Sequence, residues 1–207
     1  MPGQHLVKSI SYNQHEIIAD IIRLYCPHGI DVDATYSTGK MYKGIKEPKH
    51  KFDLKPQVEG CSKGDSRKLP LKNKSVKSIM FDPPFLATTG QSLRKMNDSN
   101  KLNKRFGVYA SEQELRDMYC DSLKEFYRIL VNNGILIFKC QDKVSSGKQY
   151  WNHCWIYQEA IRSGYVVEDL FILLAKNRLV ADWQARNQKH ARKFHCYFWV
   201  FRKKGLN

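Results

Sequence analysis

Paired metal-ligand motifs are missing from this sequence. Its six cysteines are scattered, and no two of them form a C-x-x-C pair. This spacing argues against a zinc ribbon and a disulfide framework, and it favours reduced thiols in a cytoplasmic compartment. The adjacent His153 and Cys154 are possible metal ligands, but no C-x-x-C pair accompanies them. We therefore expect no bound metal.

Long apolar runs are missing as well. No stretch approaches the roughly 18 apolar residues that a membrane-spanning helix needs, and the polar amino terminus shows no apolar signal segment. We expect a cytoplasmic protein without a membrane partner. The 207 residues suffice for one well-buried domain and are few for two, so we predict a single domain over residues 1–207.

Acidic residues are scarce relative to basic ones. The sequence has 35 Lys and Arg residues against 20 Asp and Glu residues, which gives a formal net charge of +15. Because basic side chains that bind phosphates release condensed counterions, this excess favours a polyanionic partner. Nucleic acid is therefore the expected partner.

Apolar patterning predicts strands that alternate with helices. Helices are expected at 13–25, 111–131 and 150–162, and strands at 30–33, 51–55, 78–82, 135–140, 166–174 and 196–201. The Gly-rich polar stretch 60–65 is predicted as a loop. The alternation indicates a parallel sheet covered on both faces. The last two strands lack a well-patterned crossover helix, so they are candidates for an antiparallel pair at one edge.

The sequence Asp82-Pro83-Pro84-Phe85 closes the apolar strand at 78–82. Two consecutive prolines cannot continue a strand ladder or enter a helix interior, so the chain leaves the strand rigidly at Asp82. A carboxylate and an aromatic ring then lie at the carboxyl end of a strand, where α/β sheets bind ligands. The motif resembles the D-P-P signature, completed by an aromatic residue, of methyltransferases that modify exocyclic amino groups of bases.

This resemblance implies roles for the motif residues. The Asp82 carboxylate and the Pro83 carbonyl would accept the protons of an exocyclic amine, which favours its nucleophilic geometry and stabilises the positive charge that develops on nitrogen. Pro84 completes the rigid turn, and Phe85 would stack on a base flipped out of its helix. No cysteine follows the prolines, so we expect direct methyl transfer without a covalent enzyme intermediate.

The same resemblance implies a fold and a cofactor. Class I S-adenosylmethionine-dependent methyltransferases have a Rossmann-like α/β fold with a mainly parallel seven-stranded sheet, a final antiparallel hairpin and helices on both faces. Residues 33–39 stand where this family carries its D-P-F-x-G-x-G cofactor loop, and they keep the Asp and the last Gly. The implied contacts with S-adenosylmethionine are Asp33, Thr35, Ser37 and Gly39 in this loop, Asp53 for the ribose, Asp65 for the adenine amine, and Tyr12 beside the cofactor.

Two insertions, 86–110 and 175–195, are basic and poorly periodic. Their one-sided charge indicates contact with phosphates on both sides of the site. The candidate nucleic-acid contacts are Arg94, Lys95, Lys101, Lys104 and Arg105 in the first insertion, and Lys176, Arg178, Arg186, Lys189 and Arg192 in the second.

Three functions are compatible with these features. The resemblance favours methyl transfer to the N6 amine of adenine in DNA. A base amine in ribosomal or transfer RNA is the second possibility, because similar signatures occur in RNA enzymes. The third is a nucleic-acid-binding module on a methyltransferase scaffold without catalysis, because the cofactor loop departs from the family pattern. The sequence leaves the recognition site and the oligomeric state open.

Overall fold

A computed structural model describes residues 6–85, 87, 109, 111–145, 147–177, 186 and 188–205. Strands and helices alternate along these residues. The strands are β1 (Ile10–Ser11), β2 (Val32–Asp33), β3 (His50–Asp53), β4 (Ser62–Lys63), β5 (Val76–Phe81), β6 (Leu130–Cys140), β7 (Lys143–Ser145), β8 (Lys148–Tyr150), β9 (Tyr165–Leu174) and β10 (His195–Lys203). The α-helices are α1 (Gln14–Tyr25), α2 (Glu112–Ile129) and α3 (Asn152–Arg162).

The main sheet has the strand order β1-β9-β10-β6-β5-β2-β3-β4. Strands β4, β3, β2, β5 and β6 pair in parallel, and β10 is antiparallel to both of its neighbours. The predicted Rossmann-like fold with an antiparallel carboxyl-terminal strand is confirmed. The predicted number of seven strands is wrong, because β1 adds an eighth at the edge beside β9.

Four short strands were not predicted, and two of them, β1 and β4, belong to the main sheet. Strand β4 lies inside the stretch 60–65, which was predicted as a loop, and β1 precedes the first helix. Each has only two residues, and each is defined by its pairing with a neighbouring strand. Two residues are too few to produce an apolar alternation, so the sequence carries no signal for them.

Helix α1 covers one face of the sheet. Asn13 caps it by accepting a hydrogen bond from the backbone N–H of His15 at 3.0 Å. Its apolar side is buried in a cluster that includes sheet residues such as Met80, Ile137 and Phe198. The spacing of the isoleucines therefore predicted both the helix and its buried face.

Helices α2 and α3 cover the opposite face. The side chain of Ser111 accepts a hydrogen bond from the N–H of Glu114 at 3.1 Å and so caps the start of α2. The buried side of α2 shares a core with Phe81 and Phe138, which point away from α1. Successive residues of β5 thus face alternate cores, and the strand is buried on both faces.

The end of α2 and the start of β6 differ from prediction. The helix was expected to reach 131 and the strand to begin at 135, but α2 ends at Ile129 and β6 begins at Leu130. Leu130 pairs with Val76, and after a register shift the pairing resumes between Ile135 and Ser78. The residues between form a bulge in which Asn133 takes the left-handed conformation, at a φ of 61°.

The segment after β6 forms a small hairpin of β7 and β8, in which Lys143 pairs with Tyr150. Helix α3 accordingly begins at Asn152 rather than at the predicted position 150. In the part of the chain that the structure describes, no helix is long and apolar enough to cross a membrane.

Candidate active site

Four aspartates lie at the ends of four adjacent parallel strands. Asp33 and Asp53 are the last residues of β2 and β3, Asp82 directly follows β5, and Asp65 follows β4 by two residues. Because parallel strands end at one edge of the sheet, these carboxylates share that edge in the order Asp65, Asp53, Asp33, Asp82. This is the edge at which α/β sheets bind ligands, so we take it as the candidate active site.

The Asp82-Pro83-Pro84-Phe85 turn is fixed by contacts from three different elements. The backbone N–H of Asp82 donates to Thr35 Oγ1 at 2.7 Å. The Pro84 carbonyl accepts from the Tyr119 hydroxyl at 2.5 Å, and the Phe85 carbonyl accepts from Lys143 Nζ at 2.8 Å. The rigid turn predicted from the prolines is thus held by partners on the loop after β2, on α2 and on β7.

Lys139 is a site residue that the sequence reasoning missed. Its Nζ contacts Asp82 Oδ2 at 2.8 Å and Gln14 Oε1 at 2.9 Å. The side chain is nearly buried, with 11% of it exposed. A lysine at the end of the otherwise apolar run of β6 was the available signal, since a buried charge needs a partner.

Asp33 is the first residue of the loop at 33–39 and is 1% exposed. Its Oδ1 accepts from the Thr35 N–H at 2.7 Å, and its Oδ2 accepts from the Tyr42 hydroxyl at 2.6 Å. Burial raises the pKa of Asp33 to about 7, and the nearby charge of Asp82 also acts to raise it. These two hydrogen bonds indicate that Asp33 stabilises the loop.

The loop after β2 is held against β3. The Ser37 N–H donates to Asp53 Oδ2 at 2.9 Å, and Ser37 has a φ of 54°. Gly39 takes the left-handed conformation, where a Cβ would lie 2.3 Å from the Tyr36 hydroxyl. Ser37 Oγ is buried and has no hydrogen-bond partner among the described residues. An unpaired buried hydroxyl in this loop fits a site for a polar ligand group.

Asp65 and Tyr12 occupy the two outer parts of this edge. Arg67 binds both carboxylate oxygens of Asp65, with its Nη2 2.6 Å from Oδ2, and this ion pair lowers the pKa of Asp65. Tyr12 follows β1 and is 60% exposed, with Lys176 Nζ 5.7 Å from the centre of its ring. Asp65 already has a cationic partner, and the cofactor contacts of Asp65 and Tyr12 stay predictions.

Four of the ten predicted nucleic-acid contacts belong to the described residues. Lys176, Arg186, Lys189 and Arg192 are exposed, whereas Arg94, Lys95, Lys101, Lys104, Arg105 and Arg178 lie outside the described residues. Insertion 86–110 follows β5, and insertion 175–195 joins β9 to β10. Strand β9 is antiparallel to β10, which is antiparallel to β6, so both insertions start at the edge that holds the aspartates. In the second insertion, Lys193 Nζ lies 4.8 Å from the centre of the exposed Trp151 ring.

Neither the cavity nor the metal-ligating residues of the described ranges point to a different ligand site. A cavity of about 650 Å³ between Ile22, Gly29 and Lys46 contains none of the four aspartates. Within the described ranges, no group of three or more His, Cys, Asp or Glu side chains could hold a metal ion. The convergent carboxylates and the fixed proline turn therefore define the site better than cavity size does.

No protein-family model and no curated protein sequence matches this chain. Several solved structures do. The cyclase SpnF is 13% identical, with 93% of this chain and 80% of SpnF covered at a TM-score of 0.53. The cytosine-N4-specific PvuII DNA methyltransferase is 16% identical, with 68% and 48% covered at 0.51. A proposed DNA modification methylase from Thermus thermophilus is 17% identical, with 76% and 56% covered at 0.48.

The chain has the Rossmann-like fold of class I methyltransferases. At these identities the similarity shows the fold alone. The chain spans about half the length of the PvuII enzyme and of the Thermus thermophilus protein. One protein with this fold is a cyclase, so an activity has to be argued from the site.

Proposed function

We propose that this chain transfers a methyl group from S-adenosylmethionine to an exocyclic amine of a nucleic-acid base, with adenine N6 in DNA as the favoured target. One observation carries the proposal. The rigid Asp82-Pro83-Pro84-Phe85 turn ends the inner strand β5, at the same edge as Asp33, Asp53 and Asp65. This arrangement combines an acceptor for amine protons with further carboxylates at the edge where such a cofactor binds.

Asp82 performs the central step at the amine. An exocyclic amine is a weak nucleophile because its lone pair is delocalised into the base. Acceptors at its protons, the Asp82 carboxylate and the Pro83 carbonyl, favour the pyramidal form and stabilise the charge that develops on nitrogen. Phe85 offers a ring on which the flipped base stacks. The nitrogen would bond to the methyl carbon as the carbon–sulfur bond of the sulfonium breaks, S-adenosylhomocysteine would leave as a neutral thioether, and the methylated amine would lose one proton to solvent.

Residues of the β2 loop and the ends of β3 and β4 would hold the cofactor. S-adenosylmethionine supplies an electrophilic methyl group on its sulfonium sulfur. Ser37 offers a buried hydroxyl without a described partner, and Asp53 and Asp65 offer carboxylate acceptors for ribose and adenine groups. Asp65 reaches an adenine amine only if its contact with Arg67 changes or is shared. Gly39 lets the loop pack closely against Tyr36, where a Cβ would clash.

The charge of the chain supports a nucleic-acid substrate. The net charge is +15, and both basic insertions start at the edge that holds Asp82. Exposed Lys176, Lys189 and Arg192 are able to contact phosphates beside a base that has entered the site. The PvuII enzyme acts on cytosine N4 in DNA. We favour adenine because cytosine enzymes of this kind more often carry Ser at the position of Asp82.

RNA remains the alternative substrate, since a basic surface binds either polymer. A transfer assay with tritiated S-adenosylmethionine, in which unmethylated DNA competes with ribosomal and transfer RNA, separates the two. We expect label in DNA adenine. Asp82→Ala should lower transfer by at least about 100-fold, whereas Asp121→Ala, an exposed aspartate on α2, should not. Full transfer by a folded Asp82→Ala protein would exclude the mechanism.

A binding module without catalysis is the second candidate, and the replaced residues of the 33–39 loop motivate it. Thermal unfolding with S-adenosylmethionine tests it. A cofactor present at about 100 times its dissociation constant stabilises the folded state by about 2.7 kcal/mol. We expect a clear rise in melting temperature, and an unchanged melting temperature together with tight DNA binding would favour the module.

A further inference from the structure

We infer that Lys139 is a positioning residue, which fixes the orientation of the Asp82 carboxylate toward the amine. This inference rests on the proposed methyl transfer. Phe138 of β6 pairs with Phe81, the last residue of β5. The residues that follow these two, Lys139 and Asp82, are therefore neighbours where the strands end. Their charged groups meet at 2.8 Å.

Stability does not account for a lysine at this place. Lys139 is 9% exposed and follows four consecutive buried apolar residues of β6. Removing an ammonium from water costs several kcal/mol, and a buried ion pair is often no more stabilising than apolar residues of similar volume. The rings of Phe85 and Phe198 lie 6.0 Å and 5.4 Å from its Nζ, in an environment that an apolar side chain would also suit. A role at the site explains the lysine better.

The contacts of Asp82 show what Lys139 does. A carboxylate can rotate about its side-chain bonds, and an acceptor that rotates is poorly aimed. Lys139 holds Oδ2, while Thr35 holds the backbone N–H of the same residue. No described residue donates a hydrogen bond to Oδ1. Oδ1 is thereby presented in one orientation as the acceptor for an amine proton.

Lys139 also balances the charge of this part of the edge. Asp33 and Asp82 are close enough for the charge of Asp82 to raise the pKa of Asp33. The ammonium of Lys139 lies on Asp82 and offsets this repulsion. Gln14, the first residue of α1, orients the ammonium from the other side at 2.9 Å. Gln14, Lys139 and Asp82 thus connect the start of α1 with the proline turn.

Lys139→Met tests the inference, because methionine keeps the length of the side chain and removes the charge. We expect kcat to fall about 100-fold, since a small misplacement of a reacting group has effects of this size. The KM for DNA and the dissociation constant of S-adenosylmethionine should change little. Lys139→Arg should recover part of kcat, because a guanidinium can still hold Oδ2.

Lys203→Met is the matched control. Lys203 is another buried lysine at the end of a strand, 4% exposed, and it donates to the carbonyls of Tyr127 and Leu130 at the opposite edge of the sheet. Its substitution should lower stability and leave kcat unchanged. If Lys139→Met keeps the wild-type kcat, or loses kcat only in proportion to the unfolded fraction, the positioning role is wrong.

Crystal structures of the wild-type protein and Lys139→Met provide a readout that does not depend on activity. We expect one Asp82 orientation in the wild-type protein and a rotated or divided carboxylate in the variant. An identical Asp82 orientation in both overturns the inference. If the wild-type protein methylates neither DNA nor RNA, the proposed function fails, and the orientation of Asp82 then decides the role of Lys139 by itself.

Discussion

The hydroxyl of Tyr119, in the middle of α2, donates a hydrogen bond of 2.5 Å to the carbonyl of Pro84. The tyrosine ring is fully buried and packs edge-on against Phe81 and Phe138. One side chain thus belongs both to the hydrophobic core and to the proline turn. A core helix is in this way coupled directly to the position of the site.

Tyr119→Phe should separate these two roles. The ring packing is kept and one hydrogen bond is lost, so the free energy of unfolding should fall by about 1 kcal/mol. We expect kcat for methyl transfer to fall further than this stability loss explains. Tyr165→Phe is the control, because the buried Tyr165 hydroxyl donates to the Leu123 carbonyl at 3.0 Å, on α2 and away from the proline turn. Equal effects of both variants on kcat would contradict the coupling.

Asp33 should make stability depend on pH. Burial raises its pKa from 3.8 to about 7, so the folded state binds this proton more tightly than the unfolded state. The contribution to stability is therefore fully present below about pH 4 and is lost as the pH rises through 7. Relative to Asp33→Asn, the wild-type protein should lose up to about 4 kcal/mol over this interval, at about 1.4 kcal/mol per pKa unit.

Urea unfolding of both proteins between pH 4 and pH 8 measures this difference. Tyr42→Phe is the companion variant. The Tyr42 hydroxyl donates to Asp33 and lowers its pKa, so its removal should move the window to higher pH. A difference between wild type and Asp33→Asn that stays constant with pH would show that Asp33 does not titrate in this range.

Thr35 should be needed for the start of the proline turn. In Thr35→Val the Asp82 N–H loses its acceptor at 2.7 Å, so we expect a loss of about 1 kcal/mol in stability and a lower kcat. Thr35→Ser keeps the oxygen and should retain most of the activity. Steady-state kinetics and urea unfolding of the two variants check the prediction, and equal activities would contradict it.

Gly39→Ala should weaken cofactor binding through a steric clash. Gly39 and Gly44 both have positive φ, of 67° and 78°, but a Cβ on Gly39 meets Tyr36 whereas a Cβ on Gly44 meets nothing within 4 Å. Gly44→Ala therefore reports backbone strain alone, at about 1 kcal/mol. We expect the affinity for S-adenosylmethionine, measured by calorimetry, to fall in Gly39→Ala and to be kept in Gly44→Ala.

Substitution of Lys176, Lys189 and Arg192 by Gln should reduce the salt dependence of DNA binding. Each lost phosphate contact lowers the slope of log K against log salt by about 0.9, so the triple variant should lose roughly 3 units of slope. The control substitutes Lys46, Lys72 and Lys204, which are exposed at the opposite edge of the sheet. Equal slopes for both triple variants would place the DNA elsewhere.

Much of the fold could be predicted because its signals are local. The isoleucines of α1, the cap at Ser111 and the apolar run of β5 each specify their own element through side-chain period and capping. The two prolines likewise determine that the chain leaves β5 at Asp82. The short strands β1 and β4 escaped prediction, because their pairing depends on neighbours far away in the sequence.

The sequence by itself determined the character of the site: a carboxylate on a rigid proline turn, followed by an aromatic ring, in a strongly basic chain. The tertiary structure decided the partners. Lys139 comes 57 positions after Asp82, and Tyr119 comes 35 positions after Pro84. Such contacts arise from strand order, register and helix packing, which no local pattern encodes, and the burial of Asp33 under its loop arises in the same way.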